Sequence, residues 1–213
     1  MLNKELKSRI IDITYKNKLS HLGSCLTAVD IINEIYETKH EDDKFILSSG
    51  HAGLALYVVL EKYFGICAED LLHKHGIHPC KDLENKIICS TGSLGQGITV
   101  AVGHTLANPD KMVYVLCSDG EAAEGSFMES MRFLSENPQI NNIKIYINFN
   151  GFGAYKNVSL QNLKYQTFDL AERGIVEIVD TTGILDDYKE VLSGLSAHYK
   201  TLTESDYNKL CSI

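Results

Sequence analysis

The sequence predicts an α/β fold: a doubly wound, mainly parallel sheet with helices on both faces. Two short apolar runs, at 112–117 and 143–149, are typical of buried parallel strands. The segment between them, from about 122 to 136, has helical spacing, so the two strands should lie side by side and parallel. A chain of 213 residues ordinarily forms one domain, and residues 1–213 are expected to do so.

The remaining elements follow from the same periodicity rules. Helical spacing predicts helices at about 3–17, 26–38, 50–64, 67–74, 96–106 and 185–195. Short apolar runs predict two further strands, at 44–47 and 176–179. The polar segment from 153 to about 166 shows no clear period and is predicted to be a loop.

Composition bounds the classes of function. The formal net charge of −8 leaves no basic surface for nucleic acid. No apolar window is long enough to span a bilayer, and the N-terminus lacks a signal-peptide stretch. The six cysteines form neither a CxxC pair nor a disulfide framework. We therefore expect a soluble, cytoplasmic protein with reduced thiols and no nucleic-acid or membrane partner.

A glycine-rich run and two strand ends carry the functional signal. The run 91–97 reads TGSLGQG, Asp119 and Gly120 end the strand at 112–117, and Asn150 follows the strand at 143–149. Ligands of open α/β sheets bind at the carboxyl ends of strands, where these residues should meet. Gly120 allows close backbone approach, and the helix that follows offers unpaired N–H groups to diphosphate oxygens.

A hard cation would complete such a site. Mg²⁺ or Ca²⁺ prefers oxygen ligands, which Asp119, Asn150 and the Phe152 carbonyl can supply. Asp-Gly and Asn-Gly are also ordinary turn dipeptides, and each alone indicates no more than a turn. Their joint spacing with the glycine-rich run predicts a site for a metal-bound diphosphate.

The ordered motifs resemble the N-terminal, diphosphate-binding domain of transketolase, and this resemblance implies that the cofactor is thiamine diphosphate. The matching segments are 20–24, 46–52, 78–79, 90–97, 118–126 and 148–150, in family order over roughly residues 5–160. Segments 46–52 and 91–97 resemble transketolase more closely than deoxyxylulose-phosphate synthases or enzymes of 2-oxo acids.

The resemblance implies a role for each matching residue. The metal ligands would be Asp119, Asn150 and the Phe152 carbonyl. The groups around the cofactor would be Ser24, His51, Gly92, Ser93, Leu94, Gly120 and Asn150. The candidate catalytic residues are His21, His78 and His51. Imidazole titrates near neutral pH, as required for moving protons on and off sugar oxygens during ketol transfer.

Some positions depart from the family pattern. His198 matches a histidine that reaches the cofactor diphosphate, but it follows a deletion, and an exposed residue after a helix end is the alternative. No arginine occupies the position where the family grips a sugar phosphate. A phosphorylated acceptor would need Lys74, the local histidines or the partner's arginines, although His73 and His75 are expected on a solvated loop.

The resemblance also implies a partner. The family's pyrimidine-binding and C-terminal domains are absent from these 213 residues, and so is the glutamate that activates the aminopyrimidine ring. The implied protein is the N-terminal subunit of a split transketolase, inactive alone and completed in a heterotetramer by a second chain carrying both domains. It would transfer a two-carbon ketol unit between sugars or sugar phosphates. The alternatives are a non-catalytic cofactor-binding or regulatory domain, and a subunit of another thiamine enzyme.

Overall fold

The computed structural model describes residues 3–153 and 156–213, and its sheet confirms the predicted class. Four parallel strands lie in the order β1-β2-β3-β4. They are β1 (Lys44–Leu47), β2 (Val113–Ser118), β3 (Ile143–Phe149) and β4 (Val176–Asp180). All four strands match the predicted ones to within about a residue.

Within the described residues, eight α-helices and four 3₁₀ segments surround the sheet. The helices are α1 (Lys4–Asn17), α2 (Leu22–Thr38), α3 (Gly53–Phe64), α4 (Ala68–His75), α5 (Gln96–Ala107), α6 (Gly125–Glu136), α7 (Leu160–Glu172) and α8 (Glu204–Leu210). The 3₁₀ segments are Gly50–Ala52, Asp119–Ala123, Thr182–Tyr188 and Leu195–Tyr199.

The helices cover both faces of the sheet, as predicted. Helices α1 to α4 pack with Phe45 and Leu116 in one apolar cluster. Helices α5, α6 and α7 pack on the other face, in a cluster that includes Ile46 and Val115. Successive strand residues point to opposite faces, so neighbours such as Phe45 and Ile46 enter different clusters. Burial on both faces explains why the strands are almost continuously apolar.

The loop predicted at 153–166 is wrong from residue 160 onwards, where α7 begins. Residues 154 and 155 of that prediction lie outside the described part of the chain. The buried side chains of α7 are Leu163, Thr167 and Leu170. Tyr165 and Phe168 lie on its outer side, 86% and 65% exposed. These exposed aromatic residues interrupt the apolar period, so the helix is hard to detect from sequence.

The helix predicted at 185–195 is also wrong. The chain there forms the 3₁₀ segment Thr182–Tyr188, followed by turns. Tyr188, Val191 and Leu192 are buried against the first apolar cluster. Helices this short gain little from their own hydrogen bonds, so packing of these side chains decides the backbone conformation.

Two other expectations from composition concern the cysteines and membrane-spanning helices. All six cysteines are free, and Cys117 is buried in β2. No α-helix in the described ranges combines the length and apolarity needed to cross a membrane. Near the C-terminus, α8 is capped by reciprocal hydrogen bonds between Thr203 and Asp206.

Candidate functional site

The end of β2 is tied to the turn that follows β3. The Oδ1 atom of Asp119 accepts a hydrogen bond from the Gly120 N–H at 2.9 Å, and its Oδ2 accepts from the Gly151 N–H at 2.8 Å. In the turn itself, Asn150 Oδ1 accepts from the Phe152 N–H at 2.9 Å. The structure therefore brings together the segments that carry the three predicted metal ligands.

The carboxylate of Asp119 is buried without a cationic partner. The residue is 1% exposed, and within the described residues it accepts hydrogen bonds from backbone N–H groups rather than from lysine, arginine or histidine. Burial raises the pKa of Asp119 to about 6. A hard cation would offset the cost of burying this charge, so the donor set fits a magnesium-like ion.

The glycine-rich turn touches the end of β1 at distances that only glycine permits. A methyl group on Gly50 would lie 2.6 Å from the Gly92 nitrogen, and one on Gly97 would lie 2.6 Å from the Ser48 Cα atom. Three of the predicted cofactor contacts lie in this turn: Gly92, Ser93 and Leu94. The close contacts fix the turn against the carboxyl end of the sheet.

This contact predicts that Gly50→Ala destabilises the protein by about 1–3 kcal/mol, because the added methyl group overpacks two backbones. Gly103→Ala in α5 is the control. Its methyl group meets nothing within 4 Å, and alanine favours a helix over glycine by about 0.5–1 kcal/mol. Thermal unfolding measures both. A Gly50→Ala variant as stable as the wild type would show that the two backbones are not in close contact.

Three histidines cluster beside the strand ends. The ring centroid of His21 lies 5.5 Å from that of His51 and 4.6 Å from that of His198, and His51 and His198 are 5.7 Å apart. Burial, and then the neighbouring histidines, lower the pKa of His21 to about 4 and that of His51 to about 3. Burial also lowers the pKa of His198. At neutral pH each ring is therefore uncharged, with one donor and one acceptor nitrogen.

His78 lies against the glycine-rich turn. A methyl group on Gly92 would lie 3.1 Å from the His78 ring. His78 is also close enough to His21 and His51 for its charge to lower their pKa values. The structure thus brings all four predicted histidines to one end of the sheet.

His21 has a strained backbone. Its φ of 63° and ψ of 21° are left-handed, and it immediately precedes α2, which begins four residues before its predicted start. The His21 N–H donates to the His198 carbonyl at 2.9 Å, and its Nδ1 atom is buried without a partner among the described residues. Strain and an orphaned polar atom at one residue are typical of functional sites.

A cavity of about 510 Å³ lies beside these groups, within the size range of small-molecule sites. The predicted residues in its lining are His21, Ser24, Asn150, Phe152 and His198. The predicted residues outside its lining are His51, His78, Gly92, Ser93, Leu94, Asp119 and Gly120. Gly151, which donates to Asp119, belongs to the lining and connects the two groups.

Sequence reasoning missed part of this lining. The segment after β4 contributes Thr182, Leu185, Asp186, Lys189, Leu192 and Ser193. Lys189 adds a cationic side chain to the cavity. Because the helix predicted over this segment is wrong, no local pattern pointed to these positions.

Two buried polar residues were also missed. Asn148 donates from Nδ2 to Thr27 Oγ1 at 2.9 Å and accepts from Thr181 Oγ1 at 2.6 Å, which joins α2, β3 and the end of β4. Glu121 is fully buried, and burial raises its pKa. The S-x-x-E spacing from Ser118 to Glu121 is a capping-box signal that could have drawn attention to this carboxylate.

The loop expected around His73 and His75 is wrong, although His73 is exposed to solvent as expected. These residues form the last turn of α4. The Asp82 carboxylate folds back onto this turn, where it accepts from Lys74 Nζ at 2.7 Å and contacts His75 Nε2 at 3.1 Å. The His75 side chain is 5% exposed. Lys74 and His75 therefore have a structural partner within their own chain.

Comparison with known proteins identifies the family of the chain. The chain matches the family "transketolase, thiamine diphosphate binding domain" over residues 4–151. It is 35% identical over 146 residues to one of the subunits of apulose-4-phosphate transketolase from Phocaeicola vulgatus, a match that covers 58% of this chain and 51% of that protein. It is 32% identical over 135 residues to the SqwG subunit of 6-deoxy-6-sulfo-D-fructose transketolase from a Clostridium species, which covers 54% of this chain and 49% of that protein. The chain spans about half the length of these relatives.

Solved structures show the same fold. Transketolase from Campylobacter jejuni has a TM-score of 0.78 at 21% identity, covering 97% of this chain and 41% of that one. A transketolase variant from Pichia stipitis has a TM-score of 0.67 at 20% identity, covering 100% of this chain and 40% of that one. At these identities the likeness concerns the fold alone. Because the family match covers more than half of its length, the chain belongs to the family of transketolase thiamine diphosphate-binding domains.

Proposed function

We propose that this chain is the cofactor-binding subunit of a split transketolase, which transfers a two-carbon ketol unit between sugars using thiamine diphosphate and Mg²⁺ or Ca²⁺. The observation that carries the proposal is the hydrogen bond between Asp119 and the turn that contains Asn150 and Phe152, beside a cavity lined by His21 and His198. Family membership supports the cofactor, and the buried, unpaired charge of Asp119 supports the cation.

In this proposal the chain's own residues hold and orient the reacting groups. Asp119 and Asn150, with the Phe152 carbonyl, would bind the cation. The residues that would surround the cofactor are Ser24, His51, Gly92, Ser93, Leu94, Gly120 and His198. When bound, thiamine diphosphate supplies the stabilised carbanion that ketol transfer requires.

The histidines would handle the protons. His21, His51 and His198 are held neutral by burial, so each can accept a proton at one ring nitrogen and donate from the other. Together with His78, they would exchange protons with the hydroxyl and carbonyl oxygens of the sugar. His21, His51 and His198 are partly buried, whereas His78 is exposed.

We infer that a partner subunit completes the active site. The two relatives from Phocaeicola vulgatus and Clostridium carry names that designate them as transketolase subunits, which supports a similar division here. The partner would carry the pyrimidine-binding and C-terminal domains, in a heterotetramer with two copies of each chain. Without it the chain should bind cofactor but lack turnover. A cytoplasmic location remains a prediction.

Lys74 is not expected to grip a substrate phosphate, because its ammonium group is already paired with Asp82. Lys74→Met should change the KM of the assembled enzyme by less than about twofold for a phosphorylated acceptor and for its unphosphorylated counterpart, as expected for an exposed ion pair. Lys164→Met, on the exposed side of α7, is the control for loss of a positive charge. A rise in KM confined to the phosphorylated acceptor would assign Lys74 to phosphate binding.

The test of the proposed function is purification of the tagged chain from its native cells, followed by a ketol-transfer assay with thiamine diphosphate and Mg²⁺. Ketoses serve as donors and aldoses as acceptors, each with and without a phosphate. We expect a stoichiometric partner and transfer activity that disappears in Asp119→Ala. A chain that elutes alone and inert, yet binds the cofactor, would instead support a non-catalytic binding protein.

A further inference from the structure

The buried carboxylate of Glu121 joins three separate segments. Its Oε1 atom accepts from the Ser48 hydroxyl at 2.6 Å and from the Gly95 N–H at 2.9 Å, and its Oε2 atom accepts from the Ser118 N–H at 2.9 Å. Ser48 follows β1, Ser118 ends β2, and Gly95 lies in the glycine-rich turn. One fully buried side chain therefore connects two strand ends to the turn.

Local helix capping explains only part of this arrangement. Ser118 and Glu121 form a capping box at the start of the 3₁₀ segment, which uses Oε2 of the carboxylate. The bonds of Oε1 reach residues 73 and 26 positions away along the chain. Capping requires neither of these bonds, so Glu121 has a second, long-range role.

The turn is packed tightly around the Gly95 hydrogen bond. Gly95 is left-handed, with a φ of 79°, and a methyl group there would collide with Ser126 and lie 2.8 Å from Glu124 Cβ. A methyl group on Gly97 would collide with the Ser48 backbone. Ser93 and Leu94, which are proposed to contact the cofactor, lie between Gly92 and Gly95.

We propose that Glu121 is a positioning residue that clamps the glycine-rich turn to the ends of β1 and β2, and so fixes Ser93 and Leu94 relative to Asp119. The proposal rests on the proposed function, because the position of these residues matters only if they contact the cofactor. Glutamate suits the task chemically. Three donors converge on one group, and glutamine would turn its NH₂ towards one of them.

The test compares the affinity of the purified chain for thiamine diphosphate with Mg²⁺ among Glu121→Gln, Glu121→Ala and wild type. Calorimetric titrations are run well below each melting temperature, so that only folded protein is compared. We expect affinity to fall by about 10- to 100-fold in Glu121→Ala and by less in Glu121→Gln, which keeps one acceptor oxygen. The control is Glu129→Gln on the exposed side of α6, which should bind within about twofold of wild type, as expected for a charge far from the site.

A merely structural role would lower the melting temperature of the Glu121 variants yet leave the affinity of the folded protein at the wild-type value, and that result would overturn the inference. If both variants fail to fold, Ser48→Ala removes one of the three bonds, and it should weaken binding measurably. The inference also requires the Gly95 N–H of the wild type to be protected from hydrogen exchange, and unprotected exchange would contradict it. If the wild-type chain itself does not bind the cofactor, the proposed function fails and the inference fails with it.

Discussion

Asp119→Asn is expected to abolish Mg²⁺-dependent binding of thiamine diphosphate while preserving the fold. The wild type should gain about 2.7 kcal/mol of stability at a cofactor concentration 100 times the Kd, and the variant should gain none. The reason is that Asp119 is the one charged oxygen donor among the three proposed metal ligands. The measurement is the melting temperature with and without thiamine diphosphate and Mg²⁺.

Asp119→Asn should remain folded without the metal, because the substitution removes the cost of burying a charge as well as one stabilising hydrogen bond. Burial raises the pKa of Asp119 from 3.8 to about 6, so the folded state holds its proton more tightly than the unfolded state. The raised pKa therefore lowers the free energy of unfolding. This loss is absent below about pH 4, grows as pH rises and is complete above about pH 6, where it is on the order of 3 kcal/mol. Asparagine has no charge to bury, so the substitution removes this loss of stability at pH 7. It also removes one hydrogen bond from a backbone N–H, worth about 1 kcal/mol.

Asp110→Asn is the matched control, because this aspartate is exposed just before β2 and lies outside the site. It should keep the full cofactor-dependent rise in melting temperature. If Asp119→Asn also kept that rise, the cation would have to be held elsewhere. If the variant failed to fold without cofactor, the hydrogen bonds of the carboxylate to the Gly120 and Gly151 N–H groups would stabilise the fold by much more than about 1 kcal/mol each.

His21→Gly is expected to separate activity from stability. Glycine adopts the left-handed backbone of His21 without the strain of about 1–2 kcal/mol that other residues carry there. This relief of strain should offset the stability lost when the packing of the imidazole ring is removed. Removing a proton-handling imidazole should lower ketol transfer by the assembled enzyme by about 10²- to 10⁴-fold. Thermal unfolding and the transfer assay measure the two effects.

Lys18→Gly provides the comparison. Lys18 is exposed and left-handed at the end of α1, with a φ of 50°, and it takes no part in the site. This change should raise stability by about 1 kcal/mol through the same backbone effect and leave activity unchanged. Equal activity of wild type and His21→Gly would show that the strained histidine has no part in proton handling.

The sheet could be predicted because its signal is local. Each strand is a short apolar run bounded by turns, and the structure reproduces all four with small shifts in their ends. Helix α7 was missed because its buried face is narrow and two aromatic side chains, Tyr165 and Phe168, lie on the exposed side. The segment 182–192 was misassigned because packing of Tyr188 and its neighbours, rather than local spacing, sets its backbone.

Some residues of the candidate site could likewise be predicted from sequence, and others could not. Asp119, Asn150 and the glycine-rich turn could be placed together because strand ends of a parallel sheet share one edge. The contact of His198 with His21 could not be derived from periodicity, since the two residues meet only through tertiary folding. Lys189 and the long-range bonds of Glu121 escaped for the same reason.

The most direct test of the proposed cofactor site is a calorimetric titration of thiamine diphosphate into the purified chain, in Mg²⁺ and again in EDTA. We expect saturable binding at one site per chain in Mg²⁺ and loss of that binding in EDTA, because the proposed ligands would hold the diphosphate through the cation. Absence of saturable binding in Mg²⁺, or equal binding in EDTA, would contradict it.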